Sequence, residues 1–346
     1  MSSFLERNEG HLVSNLRIVL SFAVVGVVVA AAAALAQNKP AAPQDAESPS
    51  ESSLTVGALQ IGSSANLVVE RIDINIASNS IVQSYYLKNA GAMELAVAAA
   101  VSLPELAASA DGSETWVLAA NDPENPIGLT ITAGGAPVTT KAEVRASALG
   151  IDRLAEIKAE HLPLIPFGPE TDKALAALSP DTAGRLAALG IVSPRDPKEP
   201  NEPLTADWTL DVVRSWRQVL PPGKTTPIVV KFVPVKSQYR MEKEDLDDLD
   251  DMKDEVCFKP QVLGAVQARL KSNGAWKVID MTVSVSAPSQ WIDSPNPTLS
   301  VQKPKPDAIV AFCGMDEKTA GKPMALGTAP DDADEIRIVI FEPVGK

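Results

Sequence analysis

The side chains that could do chemistry are few in this 346-residue chain. It contains two cysteines, Cys257 and Cys313, and two histidines, of which His161 is the one beyond the N-terminal segment. A zinc site needs three or four convergent nitrogen, sulfur or oxygen ligands, and one histidine with two paired cysteines would not supply them. We therefore expect no metal ion and assign no cofactor-binding residue.

Catalysis has equally few candidates. The sequence contains no Gly-x-Ser-x-Gly elbow, His-Glu-x-x-His pair, Walker A loop or Gly-x-Gly-x-x-Gly turn. His161 has the helical spacing of Leu154 and Ile157, which predicts a packing or capping residue on the apolar side of a helix. The 44 acidic residues leave a carboxylate pair for glycoside hydrolysis open, but no spacing singles out two of them. No catalytic residue is assigned.

The first 36 residues have the order of a secretory signal. Arg7 and Arg17 precede an apolar run over residues 18–35, and Ala34-Leu35-Ala36 forms a small-x-small cleavage site before Gln37. The alternative is an uncleaved anchor, because the run approaches the ~20 residues that span a bilayer. In either case we expect the rest of the chain to lie outside the cytoplasm, in the periplasm or anchored to the inner membrane.

The compartment determines whether the two cysteines can form a disulfide. Where it is oxidising, Cys257 and Cys313 are expected to pair. Two separately buried thiols are the alternative. A redox role is not favoured, since the two residues form no Cys-x-x-Cys unit.

Charge and composition exclude several partners. The net charge is -13, aromatic residues make up 4% of the chain and apolar residues 45%. Nucleic acid and anionic headgroups would be repelled, and no aromatic platform for sugars or bases is apparent. We expect an unidentified protein partner in the cell envelope, no nucleic acid, and membrane contact only through an uncleaved N-terminal segment.

The chain divides into four predicted parts. Residues 1–36 are a signal peptide or anchor, and residues 37–53, with three prolines and no large apolar group, form a disordered tether. The remaining part exceeds the usual size of one domain, which favours two lobes. The boundaries are residues 54–235 for a β-sandwich-like lobe with a helical insert at about 150–192, and residues 236–346 for a sheet-and-helix lobe with the disulfide.

Strands are predicted in the first lobe from period-two patterns. In the segment from Leu67 to Ile76 the even-numbered positions are mainly apolar. With residues 81–87 and 95–103 it is interpreted as an antiparallel meander. Gly134-Gly135 predicts a tight hairpin turn, and Pro221-Pro222-Gly223 predicts a hairpin between residues 208–220 and 228–235.

Helices are predicted where the period changes to 3.6. In the insert these segments are 152–161, 170–178 and a third helix with Ser179-Pro180 at its start and Gly190 at its end. In the second lobe, residues 241–255 predict an acidic amphipathic helix and residues 262–270 another. Four strands at residues 276–285, 298–301, 309–312 and 336–341 then predict a small sheet covered by a helix.

Several motifs, taken in order, carry a resemblance. They are Asn125-Pro126-Ile127-Gly128-Leu129, Gly134-Gly135-Ala136-Pro137-Val138, Leu162-Pro163-Leu164-Ile165-Pro166, Asp207-Trp208-Thr209, Pro222-Gly223-Lys224 and Val310-Ala311-Phe312-Cys313-Gly314. With them the chain after the tether resembles the exported bacterial domain-of-unknown-function family 4424. The resemblance implies a signal peptide and a cysteine at the positions of Cys257 and Cys313. The family has no established activity, so the resemblance implies no reaction.

The sequence therefore predicts a mainly β protein with helical insertions, of the α+β class. Its expected role is a non-catalytic binding or assembly module of the cell envelope that offers strand edges and loops to a partner. The alternative is a carboxylate-dependent envelope hydrolase. A concave pocket with two carboxylates at glycosidase spacing would favour the hydrolase, whereas an open surface would favour binding.

Overall fold

Strands dominate the described chain and helices occur as insertions, so the predicted mainly β, α+β class is confirmed. The computed structural model describes residues 55–108, 118–194, 203–286, 294–331 and 333–344. Within these ranges seventeen strands form three sheets, accompanied by five α-helices. The predicted tether and the cleavage site at Ala36 and Gln37 lie outside the described residues.

The strands are β1 (Gln60–Ile61), β2 (Leu67–Ala77), β3 (Ser80–Asn89), β4 (Leu95–Ser102), β5 (Leu106–Ala107), β6 (Thr130–Ala133), β7 (Ala136–Pro137), β8 (Lys141–Ala148), β9 (Ile151–Asp152), β10 (Thr209–Leu220), β11 (Thr225–Phe232), β12 (Ser237–Met241), β13 (Ala275–Ser284), β14 (Thr298–Gln302), β15 (Ile309–Phe312), β16 (Met324–Thr328) and β17 (Glu335–Val344). The helices are α1 (Leu154–Ala159), α2 (Pro169–Ala176), α3 (Pro180–Ala188), α4 (Asp248–Glu255) and α5 (Pro260–Lys271).

Two sheets form the sandwich-like part. The first has the order β1-β4-β10-β8-β9, with β5 paired to β10, and the second has the order β16-β14-β2-β3-β11-β6-β7. Inward apolar residues of both sheets join one buried cluster, as alternating burial predicts. On β2 a bulge between Val69 and Arg71 shifts the phase, so that Val69 is buried and Val68 is exposed. The prediction that the even-numbered residues are buried is therefore wrong before the bulge.

The predicted meander is wrong in its third strand. β2 and β3 pair antiparallel, but β4 pairs with β10 in the first sheet. Asn89 fixes this corner, because its fully buried side chain donates from Nδ2 to the carbonyls of Met93 and Leu220 at 2.8 and 3.0 Å. Period-two burial identifies the inner face of a strand but not its neighbour, so the crossing has no periodic signal.

The hairpin predicted around Pro221-Pro222-Gly223 is also wrong. β10 lies in the first sheet and β11 in the second, so this turn crosses between the sheets. The Gly223 amide donates to the carbonyl of Asn89 at 2.8 Å, and the Asn89 amide donates to the carbonyl of Lys224 at 3.3 Å. The connections β3–β4 and β10–β11, which both cross between the sheets, are thus hydrogen-bonded to each other.

Predictions of local turns and caps are confirmed. β6 and β7 pair across Gly134-Gly135, and both glycines have positive φ, 57° and 84°. Helix α3 begins after Ser179, whose hydroxyl accepts a hydrogen bond from the Thr182 amide at 3.2 Å, and Pro180 occupies the first turn. The helical insert packs around its own buried cluster, which includes Ile157, Leu186 and Trp208.

The third sheet has the order β12-β13-β17-β15, and α4 and α5 lie on one of its faces. Trp276 donates from its indole nitrogen to the carbonyl of Val266 at 3.2 Å, and its ring meets that of Phe341 edge-on at 6.0 Å. The expectation that β14 belongs to this small sheet is wrong, because β14 pairs in parallel with β2. The proposed lobe boundary at residue 235 stays a prediction.

Candidate functional site

A shallow groove lies on the outward face of the first sheet. Its volume is about 750 Å³, within the usual range for ligand sites. Residues of β1, β4 and β10, together with one side chain of β8, line it. They are Gln60, Ile61, Gly62, Ala96, Val97, Ala98, Ala99, Ala100, Lys141, Ser215, Trp216 and Arg217. We call this surface the alanine groove.

The floor of the alanine groove follows from the sequence of β4. Val97, Ala99 and Val101 are buried, so the alternate residues of the strand point outward. These outward residues include Ala98 and Ala100, which lie across from Arg217 and Ser215 of β10. A methyl group extends little above the sheet, and a row of them leaves a depression between longer neighbours.

The rim of the alanine groove is basic. Lys141 lies across from Ser215 and forms an exposed ion pair with Glu143 at 3.3 Å. Arg217 is exposed and forms no ion pair or side-chain hydrogen bond with any residue in the described ranges. The neighbouring Trp216 is buried and donates to Gln218 Oε1 at 3.1 Å, so its ring is not available for stacking a ligand.

The residues lining this groove include no aspartate, glutamate, histidine or cysteine. General acid–base catalysis needs a proton donor and acceptor within hydrogen-bond reach of the reacting group. Ser215 supplies a hydroxyl, but no imidazole or carboxylate among the lining residues could activate it. The groove therefore has the features of a binding surface.

A pair of carboxyl groups lies farther along the same face. Asp211 is on the outward side of β10, and it interacts electrostatically with Glu105 from the loop before β5. Burial, followed by the charge of Asp211, raises the pKa of Glu105. Sequence reasoning missed this pair, which comes from segments about a hundred residues apart.

A smaller cavity of about 230 Å³ lies at the start of β10, where Asp207, Trp208 and Thr209 contribute to its wall. Ser193 donates to Asp207 Oδ1 at 3.2 Å, while burial raises the pKa of Asp207. Trp208 is fully buried and donates to the carbonyl of Leu164 at 2.8 Å. This serine and carboxylate lack the intervening imidazole of a catalytic triad.

His161 is placed differently from the prediction. It follows α1 in the left-handed region, with φ of 55°, and it is exposed, so its assignment to the apolar side of the helix is wrong. Its amide donates to the carbonyl of Lys158 at 3.1 Å, and the Leu162 amide donates to that of Ile157 at 3.1 Å. The residue therefore ends the helix through its backbone. No hydrogen-bond partner of its imidazole occurs among the described residues.

The predicted disulfide between Cys257 and Cys313 is present, with Cα atoms 4.9 Å apart. It joins the segment after α4 to the end of β15. Near it, Arg337 of β17 pairs with Asp280 of β13 and with Glu255 at the end of α4. The hydrogen bonds to Asp280 raise the pKa of Arg337 above its ordinary value. The disulfide and these ion pairs both hold α4 against the third sheet.

Two features are absent from the described ranges. Over these residues, no group of three or more histidine, cysteine, aspartate or glutamate side chains is arranged to hold a metal ion. None of the helices described has the length and apolar character that a bilayer crossing requires.

Most of the motifs behind the family resemblance maintain turns and packing. Asn125 accepts from the Leu129 amide at 2.6 Å and donates back to its carbonyl at 3.2 Å, while Gly128 has a φ of 62°. Gly314, beside the disulfide, has a φ of 85°, and a Cβ there would lie 2.0 Å from the carbonyl oxygen of Thr328. None of the motif residues lines the alanine groove. The motifs around Asn125 and Gly314 thus contribute to the fold, while Asp207, Trp208 and Thr209 line the smaller cavity.

The chain matches one protein family and resembles solved structures. The model of a family described as a domain of unknown function (DUF4424) matches residues 47–329. No curated protein matches the chain. Among solved structures, the chain is similar to a candidate nutrient binding protein from Legionella pneumophila subsp. pneumophila str. Philadelphia 1, at 10% identity and a TM-score of 0.39. That similarity covers 84% of this chain and 72% of the other.

Proposed function

We propose that this chain, which belongs to the family with the domain of unknown function DUF4424, is an exported, non-catalytic binding module of the cell envelope. The alanine groove is the observation that carries the proposal. The secretory order of the first 36 residues supports the location. The partner is an envelope protein that presents an extended segment to the first sheet.

The shape of the groove favours an extended ligand. Ala96 to Ala100 run along β4 at about 3.4 Å per residue, which gives a floor roughly 14 Å long. Peptide segments of about five residues match this length. The low methyl floor permits close approach of a backbone, and Gln60 and Ser215 provide polar groups at the sides.

The charge at the rim favours an acidic segment. Arg217 and Lys141 are cations on a chain whose net charge is -13, so they form a local exception to its overall sign. A carboxylate of the partner could pair with Arg217, whose guanidinium N–H groups have no partner among the described residues. Charge complementarity of this kind mainly determines orientation and association rate.

The hydrolase alternative gains no support from the carboxyl groups described above. Glu105 and Asp211 interact with each other, and neither lines the alanine groove. A hydrolytic site would need a water molecule between two separated carboxylates, or a nucleophile about 5 Å from the acid.

Site-specific photocrosslinking tests the binding role. A photoreactive residue at Ala98, in the full chain expressed in its own host, should form a discrete adduct with one envelope protein. The same residue at Ala176, an exposed alanine at the end of α2, is the matched control. Adding Arg217→Glu to the Ala98 derivative should reduce the adduct by about tenfold, because it replaces attraction by repulsion at the rim.

Two crosslinking results and one activity result would contradict all or part of the proposal. If the Ala98 derivative forms no adduct beyond that of the Ala176 control, the alanine groove is not a docking surface. An adduct that persists unchanged with Arg217→Glu would remove the acidic segment from the proposal. Purified chain that hydrolyses envelope material, with loss of turnover in Glu105→Gln, would favour the enzyme instead.

A further inference from the structure

Three lysines gather where the turn between β2 and β3 approaches the rim of the third sheet. Lys236, in the connection from β11 to β12, donates from Nζ to the carbonyl of Ser78 in that turn. Lys277 of β13 lies directly across from Glu342 of β17. Lys305, in the loop before β15, has its Nζ 3.5 Å from Glu342 Oε2. We call Lys236, Lys277 and Lys305 the lysine cluster.

The charges of the lysine cluster do not balance. One carboxylate, Glu342, serves three ammonium groups, and it pairs within 4.0 Å only with Lys305 among the described residues. Arg240 lies across from Lys277 on its other side and pairs with its own neighbour Glu242, which adds no negative charge to the cluster. By these contacts, three ammonium groups share one carboxylate on a chain with net charge -13.

Burial makes this excess unfavourable. Glu342 is 8% exposed and Lys277 is half-buried, so water screens the cluster incompletely. Burial and, to a smaller degree, the charge of Lys277 lower the pKa of Lys236, while Glu342 acts in the opposite direction. Like charges held together at low solvent exposure favour the uptake of a counterion.

Lys277 has the position expected of an anion donor. Its ammonium group forms no ion pair or hydrogen bond with any residue of the described chain. Lys305 pairs with Glu342, the residue across from Lys277, and its side chain is half exposed, which leaves a path from solvent. An ammonium group has three rotatable donors, and lysines commonly bind phosphate as point charges.

We propose that the lysine cluster binds one small, doubly charged oxyanion of the phosphate class. Lys277 and Lys305 donate to the anion, Lys236 contributes charge, and Glu342 positions Lys305. The ligand is a free anion, because a membrane surface rich in anionic headgroups would meet the repulsion of the whole chain as well as the attraction of the cluster. This site is separate from the alanine groove and does not depend on the function proposed for it.

Isothermal titration of the full chain with inorganic phosphate, at constant ionic strength, tests the proposal. The wild-type chain should bind one phosphate in a saturable manner. Lys277→Met should weaken the affinity by about tenfold, since a charge-assisted hydrogen bond is lost. Lys231→Met is the matched control, because it removes the same charge from an exposed position on β11 and should leave the affinity unchanged.

The remaining results would contradict either the site or the assignment of its ligand to a free anion. Equal weakening by Lys277→Met and Lys231→Met, or no saturable binding, would indicate an adventitious ion only. If Lys277→Met does not fold, Lys305→Met at the half-exposed position gives the same test, with the same tenfold expectation. Vesicles containing phosphatidylglycerol should bind the wild-type chain no more than vesicles of phosphatidylcholine alone, and additional binding that Lys277→Met abolishes would overturn the assignment to a free anion.

Discussion

The alanine groove and the third sheet are built in opposite ways. On the outward face of the first sheet, β4 presents methyl groups to solvent, and Arg217 at the rim has no partner among the described residues. On the third sheet, helices, aromatic contacts, a disulfide and the Arg337 ion pairs cover the equivalent face. The first sheet thus leaves an open depression where side-chain volume is omitted, while cross-links concentrate stability at the third sheet.

The largest effect is expected from removing the disulfide. Cys313→Ser should lower the free energy of unfolding by about 4 kcal/mol, because the bond closes a loop with a sequence separation of 56 residues. Urea denaturation of both chains measures the loss. Hydrogen exchange should increase more in β15 and α4 than in β4 if stability is concentrated at the third sheet.

Reduction of the wild-type chain is the control, since it should reproduce the loss without a substitution. An unchanged free energy of unfolding in the variant, or equal acceleration of exchange in both regions, would remove the contrast between them.

The ion pairs of Arg337 should give the next largest effect. Arg337→Met should destabilise the fold by about 2 kcal/mol, because it leaves the largely buried carboxylate of Asp280 without its hydrogen-bond donors at 3.0 and 3.1 Å. Arg185→Met is the matched control, because Arg185 pairs with Glu160 at a more exposed position. The control should cost no more than about 1 kcal/mol. Equal losses in Arg337→Met and Arg185→Met would show that the ion pairs of Arg337 stabilise the fold no more than an exposed ion pair does.

The sequence predicts elements better than it predicts their neighbours. The caps at Ser179 and Gly190, the turn at Gly134-Gly135 and the pairing of the two cysteines follow from local chemistry, and the structure contains them. The crossing at Asn89 does not follow from local chemistry. It depends on hydrogen bonds to Leu220, 131 residues away, and periodicity has no signal for contacts at that distance.

The candidate sites were missed for the same reason. The alanine groove requires β1, β4 and β10 to lie side by side, and the lysine cluster requires the β2–β3 turn to approach the third sheet. In the sequence, the alanines of β4 are part of an ordinary strand pattern. One signal was available, since alternate alanines from Ala96 to Ala100 indicate a strand face with unusually short side chains. Its meaning depends on whether that face is covered.

A smaller effect is expected from Glu105 on the first sheet. The folded chain raises the pKa of this carboxyl above its ordinary value of 4.5, so the folded state binds the proton more readily than the unfolded state. Stability should therefore decrease as the pH rises from about the ordinary value through the raised one, and the penalty is complete above the raised pKa. Glu105→Gln should stabilise the chain at pH 7 and lose this advantage near pH 4.

Denaturation at the two pH values measures that difference. Glu143→Gln on β8 is the control, because it removes the same charge from an exposed position of the same sheet. If both variants show the same dependence on pH, the effect comes from net charge and not from the contact between Glu105 and Asp211.

The smallest effect on stability is expected inside the alanine groove itself. Ala98→Thr adds a hydroxyl and a methyl group to an exposed strand position, where they contact solvent and where threonine suits the extended backbone. The free energy of unfolding should change by no more than about 0.5 kcal/mol. Ala99→Thr is the contrasting variant, because it enlarges the neighbouring buried residue and should cost about 1 to 3 kcal/mol by overpacking. Equal costs at the two positions would mean that the methyl of Ala98 is packed in the folded chain, and the groove would then not be open to a partner.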